Sequence, residues 1–200
     1  MMSKQYYNAN AAAFHADTAE VDMSALYAEF VPLIPKGAHI VDAGCGTGRD
    51  ALAFQALGFQ VTAFDASEAL IAIAQQRLGA NALQCTFTEF QATEPVAAIW
   101  ACASLLHVPL AELPSTFSHL AAQLVSQGVF YCSFKYGDNE LERGGRRFTN
   151  LNEVLLANVL QNTNLTIQKT WITGDARPGR EHEQWLNAIL VKSPQHESGE

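Results

Sequence analysis

The sequence predicts an α/β protein built on a doubly wound, mostly parallel sheet of seven strands. Two observations carry this. Short apolar runs alternate with amphipathic runs from residue 38 onward, the pattern of strands joined by crossover helices. The last two apolar runs have only a loop between them, which makes them a C-terminal antiparallel pair at one end of the sheet. A length of 200 residues sets one domain, expected over 1–193, with 194–200 as a disordered tail.

The elements follow in order. Tyr6 to Phe30 reads as helix ahead of the sheet, an N-terminal helical cover within 1–36. "AHIVDAG" (38–44) is the first strand. "TGRDALAFQALG" (47–58) is a helix closed by Gly58. "FQVTAFD" (59–65) is the second strand. Ser67 caps the next helix, with Glu68 in its first turn, Leu70, Ile73, Ala74 and Leu78 at helical spacing, and Gly79 at its end. "ALQCTF" (82–87) is a short third strand with Leu83, Cys85 and Phe87 alternating. "VAAIWACA" (96–103) is apolar on both faces, as a central parallel strand is. Pro114 starts a helix whose buried stripe is Phe117, Leu120, Ala121 and Leu124. "GVFYCSFK" (128–135) is the fifth strand. Asn150 and Glu153 read as a cap and its reciprocal partner before Leu151, Val154, Leu155 and Val159. "LTIQKTWIT" (165–173) and "EQWLNAILVK" (183–192) close the sheet.

Bulk properties narrow the function. The net charge of −8 opposes general binding to phosphate backbones. The start is too polar for a secretory signal, and no window reaches the roughly 18 apolar residues of a membrane span. The four cysteines (Cys45, Cys85, Cys102, Cys132) form no C-x-x-C, so neither a zinc site nor disulfides are expected, and a cytoplasmic location is.

The chemistry centres on "HIVDAGCGTGRD" (39–50). In an open parallel sheet, ligands bind beyond the carboxyl ends of the strands, where this turn lies. The dinucleotide fingerprint G-x-G-x-x-G fails at Arg49, and no Lys follows the glycines as a phosphate loop requires. Asp42, two residues before Gly44, suits a ligand carrying positive charge. Asp65 ends the second strand, where a carboxylate can accept both hydroxyls of a ribose; the competing reading is a cap for the helix at Ser67.

These residues resemble the class I S-adenosylmethionine-dependent methyltransferases, which share a Rossmann-like fold. "VDAGCGTG" matches their first motif, "VTAFDAS" their second, and the terminal antiparallel pair matches their sheet. "GCGTGRD" is most similar to small bacterial enzymes that include the tellurite-resistance type, and "RPGREHEQWLNAIL" looks like further members of that subgroup. The resemblance implies S-adenosyl-L-methionine as the cofactor. It places Gly44, Cys45, Gly46, Thr47, Gly48 and Arg49 along the methionine, with Asp42 at its amino end. Asp65, with Ala66 and Ser67, takes the ribose, Phe87 flanks the adenine beside Thr86 or Thr88, and Ala103 lies after the fourth strand. Tyr7, with Tyr6 and Phe14, would shield the cofactor; ordinary helix packing is the alternative.

His107 follows the fourth strand and is the candidate base or acceptor-orienting group; the competing reading is a turn cap before Pro109. Arg143, Arg146 and Arg147 sit in a loop after the fifth strand. Arg177 and Arg180 sit after the sixth, beside Trp185, a candidate apolar wall. Five arginines over the site of an acidic protein suggest capture of an anionic small-molecule acceptor, with Arg147 and Arg177, next to Phe148 and Pro178, as first choices. The competing reading is local pairing with Asp138, Glu140, Glu142, Asp175, Glu181 and Glu183. A transfer-RNA or protein methyltransferase would need a basic surface that the chain lacks. A non-catalytic cofactor-binding protein is the other alternative, and Arg49 and Asp42 argue against a nicotinamide dehydrogenase. No metal site is expected.

Overall fold

A computed structural model describes residues 2–177, 179–180 and 182–194. Helices α1 (Met2–Thr18) and α2 (Ser24–Phe30) precede β1 (His39–Ala43). Then come α3 (Arg49–Ala56), β2 (Gln60–Asp65), α4 (Glu68–Leu78), β3 (Ala82–Gln84) and β4 (Val96–Ala101). The second half holds α5 (Leu113–Ala122), β5 (Leu124–Lys135), β6 (Glu140–Arg143), β7 (Arg146–Thr149), α6 (Glu153–Leu160), β8 (Leu165–Gly174) and β9 (Gln184–Lys192).

Seven strands form one sheet in the order β3-β2-β1-β4-β5-β9-β8. Only β9 runs against its neighbours, antiparallel to both β5 and β8. The order reverses between β1 and β4, and that switch point opens a crevice at the carboxyl ends of the strands. Alternation along β4 and β5 sends Ala98, Trp100, Val129 and Tyr131 to one face, and Ile99, Ala101, Phe130, Cys132 and Phe134 to the other. Each face carries a core. On the first, Trp100 and Tyr131 stack at 3.9 Å and Phe30 of α2 packs at 4.9 Å from Trp100. On the second, Phe117 of α5 packs against Phe130.

Five expectations need correction. "NELERGGRRFT", expected as part of a loop, is a hairpin of β6 and β7. Gly144 and Gly145 both have positive φ (57° and 73°), the geometry of a tight hairpin turn, and its strands join no other sheet. β3 stops at Gln84, so Cys85 and Phe87 lie in the turn beyond it. Ile71, not Ile73, joins Leu70, Ala74 and Leu78 on the buried face of α4. α5 ends at Ala122 and Leu124 opens β5 instead. Asn152, not Asn150, caps α6: its side chain accepts the Leu155 N–H at 2.9 Å. The Asn150 side chain donates to Asn139 instead. Leu156, Val159 and Leu160 form the buried face of α6, while Val154 is 68% exposed. Residues 195–200, most of the expected tail, lie outside the described residues.

Candidate active site

Two cavities open at the switch point. The larger, about 630 Å³, lies between the turn after β1, helices α1 and α2, the β6–β7 hairpin and the β8–β9 connection. The smaller, about 320 Å³, lies between the same turn, α1, the end of β2 and residues 85–88. They share Tyr7, Phe14, Gly44, Gly46, Ala103 and His107 as lining.

The shared wall is built on close backbone approach. Gly44 and Cys45 both donate their N–H to the Phe64 carbonyl, at 2.8 and 2.9 Å, which folds the turn over the end of β2. Gly46 has φ 58°, and a Cβ there would stand 3.0 Å from the Phe14 ring. Gly48 is different. It lines neither cavity, and a Cβ there would meet Leu78 of α4 at 2.8 Å, so this glycine serves helix packing. Ala103 holds φ 51°, a conformation costly for a residue with a side chain.

The carboxylates divide between the cavities. Asp42 is 2% exposed, accepts the Ala51 N–H at 3.0 Å and lines the larger cavity. Burial and the nearby Asp50 push its carboxyl well above the ordinary range. Asp65, in the smaller cavity, accepts from Gly46 N–H at 3.0 Å and from Ser67 N–H at 2.8 Å. Desolvation raises its carboxyl too. Both readings of Asp65 therefore have a structural basis. It braces the turn into α4, which Ser67 itself caps through Leu70, and its two oxygens keep lone pairs for a ligand. Phe87, Thr86 and Thr88 line the same cavity with Ala66 and Ser67. Cys45, Thr47 and Arg49 line the larger one.

Arg49, expected along the methionine, pairs with Asp50 in a buried network whose acid the sequence reading did not single out. Asp50 accepts from Arg49 Nε and Nη2 at 2.6 and 3.0 Å, from the Tyr27 hydroxyl at 2.6 Å and from Trp100 Nε1 at 2.8 Å. Burial alone would raise this carboxyl, but Arg49 and these donors bring it below the ordinary range. Arg49 also donates to the Thr18 carbonyl at the end of α1.

His107 is held at both ring nitrogens. Nδ1 lies 2.6 Å from the Arg147 carbonyl, which can only accept, so Nδ1 carries the proton. Nε2 is then the acceptor for the Tyr7 hydroxyl at 2.9 Å. Desolvation, the largest cause, depresses the imidazole pKa to about 4, against a smaller upward pull from the Arg147 carbonyl. The histidine is thus neutral near pH 7, and its lone pair is already engaged. Tyr7 is tied down by α1, which binds across the whole site. Asn8 accepts from Ser67 Oγ at 2.7 Å, His15 meets Thr47 at 2.9 Å, and Ser3 accepts the Arg147 N–H.

The arginines do not behave alike. Arg147, a first choice for the acceptor, lines neither cavity; its guanidinium pairs with Glu140 and Glu142 at 3.6 and 3.4 Å. Strand alternation explains this, because adjacent residues on β7 face opposite ways and Arg146 takes the inward position. Arg177 does line the larger cavity, but Asp175 holds it by two bonds of 2.9 and 2.6 Å. Asp175 also accepts from Trp185 Nε1 at 3.1 Å. Lys135 is paired with Glu183 in the same way. Pro178 and Glu181 lie outside the described residues. Arg143 and Arg146 line the larger cavity without an ion pair to a carboxylate among the described residues; Arg180 lines it too, and its charge acts on Glu183. Arg146 lies over Tyr6 at 4.3 Å and Phe148 at 5.2 Å, and its Nε is buried with no hydrogen-bond partner. An orphan donor of this kind costs roughly 1–3 kcal/mol until an acceptor meets it.

Comparison with known proteins follows this geometry. Residues 40–128, from β1 into β5, match the family model described as "Methyltransferase domain". The 1,6-didemethyltoxoflavin N1-methyltransferase of Burkholderia thailandensis, solved with 1,6-didemethyltoxoflavin and S-adenosylhomocysteine, has this fold at TM-score 0.79. It is 21% identical over 96% of this chain and 88% of its own. The magnesium protoporphyrin IX methyltransferase of Synechocystis PCC 6803, solved with S-adenosylmethionine, aligns at TM-score 0.63 and 20% identity, over 96% and 80% of the two chains. A glycopeptide N-methyltransferase solved with S-adenosylhomocysteine aligns at TM-score 0.68 and 16% identity, over 86% and 91%. At these identities the likeness is one of fold. A search of curated protein sequences gave no match. The matched region ends before the β6–β7 hairpin and the β8–β9 connection, so the arginine-bearing segments are outside it.

Proposed function

We propose that the protein uses S-adenosylmethionine to methylate a small anionic molecule. It would act as a single domain over 1–193 in the cytoplasm, beside the small bacterial enzymes of the tellurite-resistance type. The observation that carries the reading is the pair of cavities joined at one wall. The smaller one, with Asp65 and Phe87, has the groups a nucleoside needs: a carboxylate for the ribose and an aromatic face for the base. The larger one offers Asp42 and the glycine turn at the near end and cationic side chains at the far end. A donor spanning the wall at Gly44, Gly46 and Ala103 would present its methyl group to the larger cavity. The three neighbours described above were each solved with S-adenosylmethionine or S-adenosylhomocysteine, which supports the same cofactor here.

The chain's own residues would then do three things. Asp42 and Asp65 anchor the two ends of the cofactor, and the cofactor supplies an activated methyl on a sulfonium. Tyr7, Phe14 and His107 exclude water from the junction, which favours a displacement that disperses charge. His107 fixes the Tyr7 hydroxyl, and the aromatic faces of Tyr7 and Phe14 would suit a cationic centre.

Methyl-labelled S-adenosylmethionine incubated with the protein and a cell extract tests this. Label is expected in the small-molecule fraction. Label in precipitated RNA or protein would replace this reading with a macromolecular methyltransferase. Binding without any transfer would leave a cofactor-binding protein that does no chemistry.

A further inference from the structure

Resting on that reading, we infer that the methyl acceptor is a carboxylate, held by Arg146, whose own oxygen takes the methyl group to give a methyl ester. Two observations meet at the wall between the cavities.

The first is an anion site with one clear anchor. Three of the cations in the larger cavity (Arg49, Lys135 and Arg177) are neutralised by Asp50, Glu183 and Asp175. Arg146 is not, and its buried Nε lacks any acceptor. Tyr6 and Phe148 fix the guanidinium plane, so it presents its donors in a set direction. Arg146 is also next to the reaction point: it lines the larger cavity together with Tyr7 and His107, which belong to the shared wall. An anion on Arg146 would therefore lie close to the place where the methyl is presented.

The second is the engagement of every inward base. His107 has its proton on Nδ1 and its lone pair on the Tyr7 hydroxyl. Asp50 accepts four bonds, Asp175 is held by Arg177 and Trp185, and Glu183 by Lys135, while Asp42 and Asp65 are committed to the two ends of the cofactor in the proposed reading. Asp22 and His182 line the same cavity but are exposed. An acceptor that must first lose a proton finds no free group at the wall. A carboxylate arrives without one. Its oxygen lone pair forms the new bond to the methyl carbon, the carbon–sulfur bond breaks with its electrons going to sulfur, and no proton moves. Negative acceptor and positive donor both lose their charge in the step, which a water-poor site favours.

Benzoate is the probe, because the carboxylate is its one nucleophile; benzamide is its neutral counterpart, and phenol offers a hydroxyl that needs a base. With the protein saturated in S-adenosylhomocysteine, benzoate should bind at least about tenfold more tightly than benzamide. Arg146→Met should abolish that preference, Arg146→Lys should restore part of it, and Arg147→Met should leave it intact. Prior titration with S-adenosylhomocysteine alone shows that each variant is folded. With S-adenosylmethionine, bound benzoate should become methyl benzoate, and its label should be released by mild alkali. Equal binding of benzoate and benzamide, an unaffected Arg146→Met, or methylation of phenol with none of bound benzoate would overturn the inference. Failure to bind S-adenosylhomocysteine would instead overturn the cofactor reading beneath it.

Discussion

Asp42 and His107 store opposite kinds of tension at the site. Asp42 is a carboxylate raised far above its ordinary range by burial. An Asp shifted upward is ionised in the unfolded chain above pH about 4 and resists ionisation in the fold, so it costs stability at neutral pH. Asn keeps an oxygen for the Ala51 amide and removes the charge. Asp42→Asn should therefore raise the melting temperature of the free protein by roughly 3 °C while weakening S-adenosylhomocysteine binding tenfold or more, measured by calorimetry. His107 has the complementary sign. Its pKa falls to about 4 in the fold from an ordinary value near 6.5. Below pH 6.5 the unfolded chain takes up a proton that the fold refuses. Stability should fall as the pH drops from 6.5 toward 4, by up to about 3 kcal/mol in urea titrations, and His107→Gln should flatten that slope.

At the scale of elements, the network around Asp50 joins α3, α2 and β4. Asp50→Ala would leave the half-buried Arg49 guanidinium with no counter-charge and only the Thr18 carbonyl to bond, at a cost of about 3–5 kcal/mol in urea unfolding followed by Trp100 fluorescence. The turn after β1 makes a second contrast. Gly48→Ala forces Leu78 aside and should lower stability by about 1–2 kcal/mol. Gly46→Ala presses on Phe14, so it should weaken cofactor binding as well; titration of both variants with S-adenosylhomocysteine separates the two effects. These contrasts also show how much was legible beforehand. The strand at "AHIVDAG", the cap at Ser67 and the antiparallel end follow from local pattern, because caps, glycines and periodicity act over a few residues. The β6–β7 hairpin was missed although Gly144-Gly145 between two polar runs announces it; those strands are too polar to signal burial. The Asn152 cap was misread by two residues, since Asn150 and Asn152 both precede the apolar run and tertiary contact with Asn139 decides between them.

Across the whole molecule, the topology brings residues from distant parts of the chain to one crevice. Tyr7 meets His107, 100 positions away, and Ser3 meets Arg147, 144 positions away. No local pattern encodes such pairs, which is why motifs could nominate residues for the cofactor while the ranking of Arg147 and Arg177 first did not foresee that both are held by carboxylates. Side-chain direction on β7 and the pairing of Arg177 with Asp175 are set by the fold. The central claim is that the two cavities form one site for S-adenosylmethionine anchored at Asp65. Calorimetric titration with S-adenosylhomocysteine tests it, with NAD as control ligand and Asp65→Ala as control protein. The account predicts micromolar binding to the native chain, loss of at least about tenfold in Asp65→Ala and no comparable binding of NAD. Tighter binding of NAD, or native protein that ignores S-adenosylhomocysteine, would contradict it.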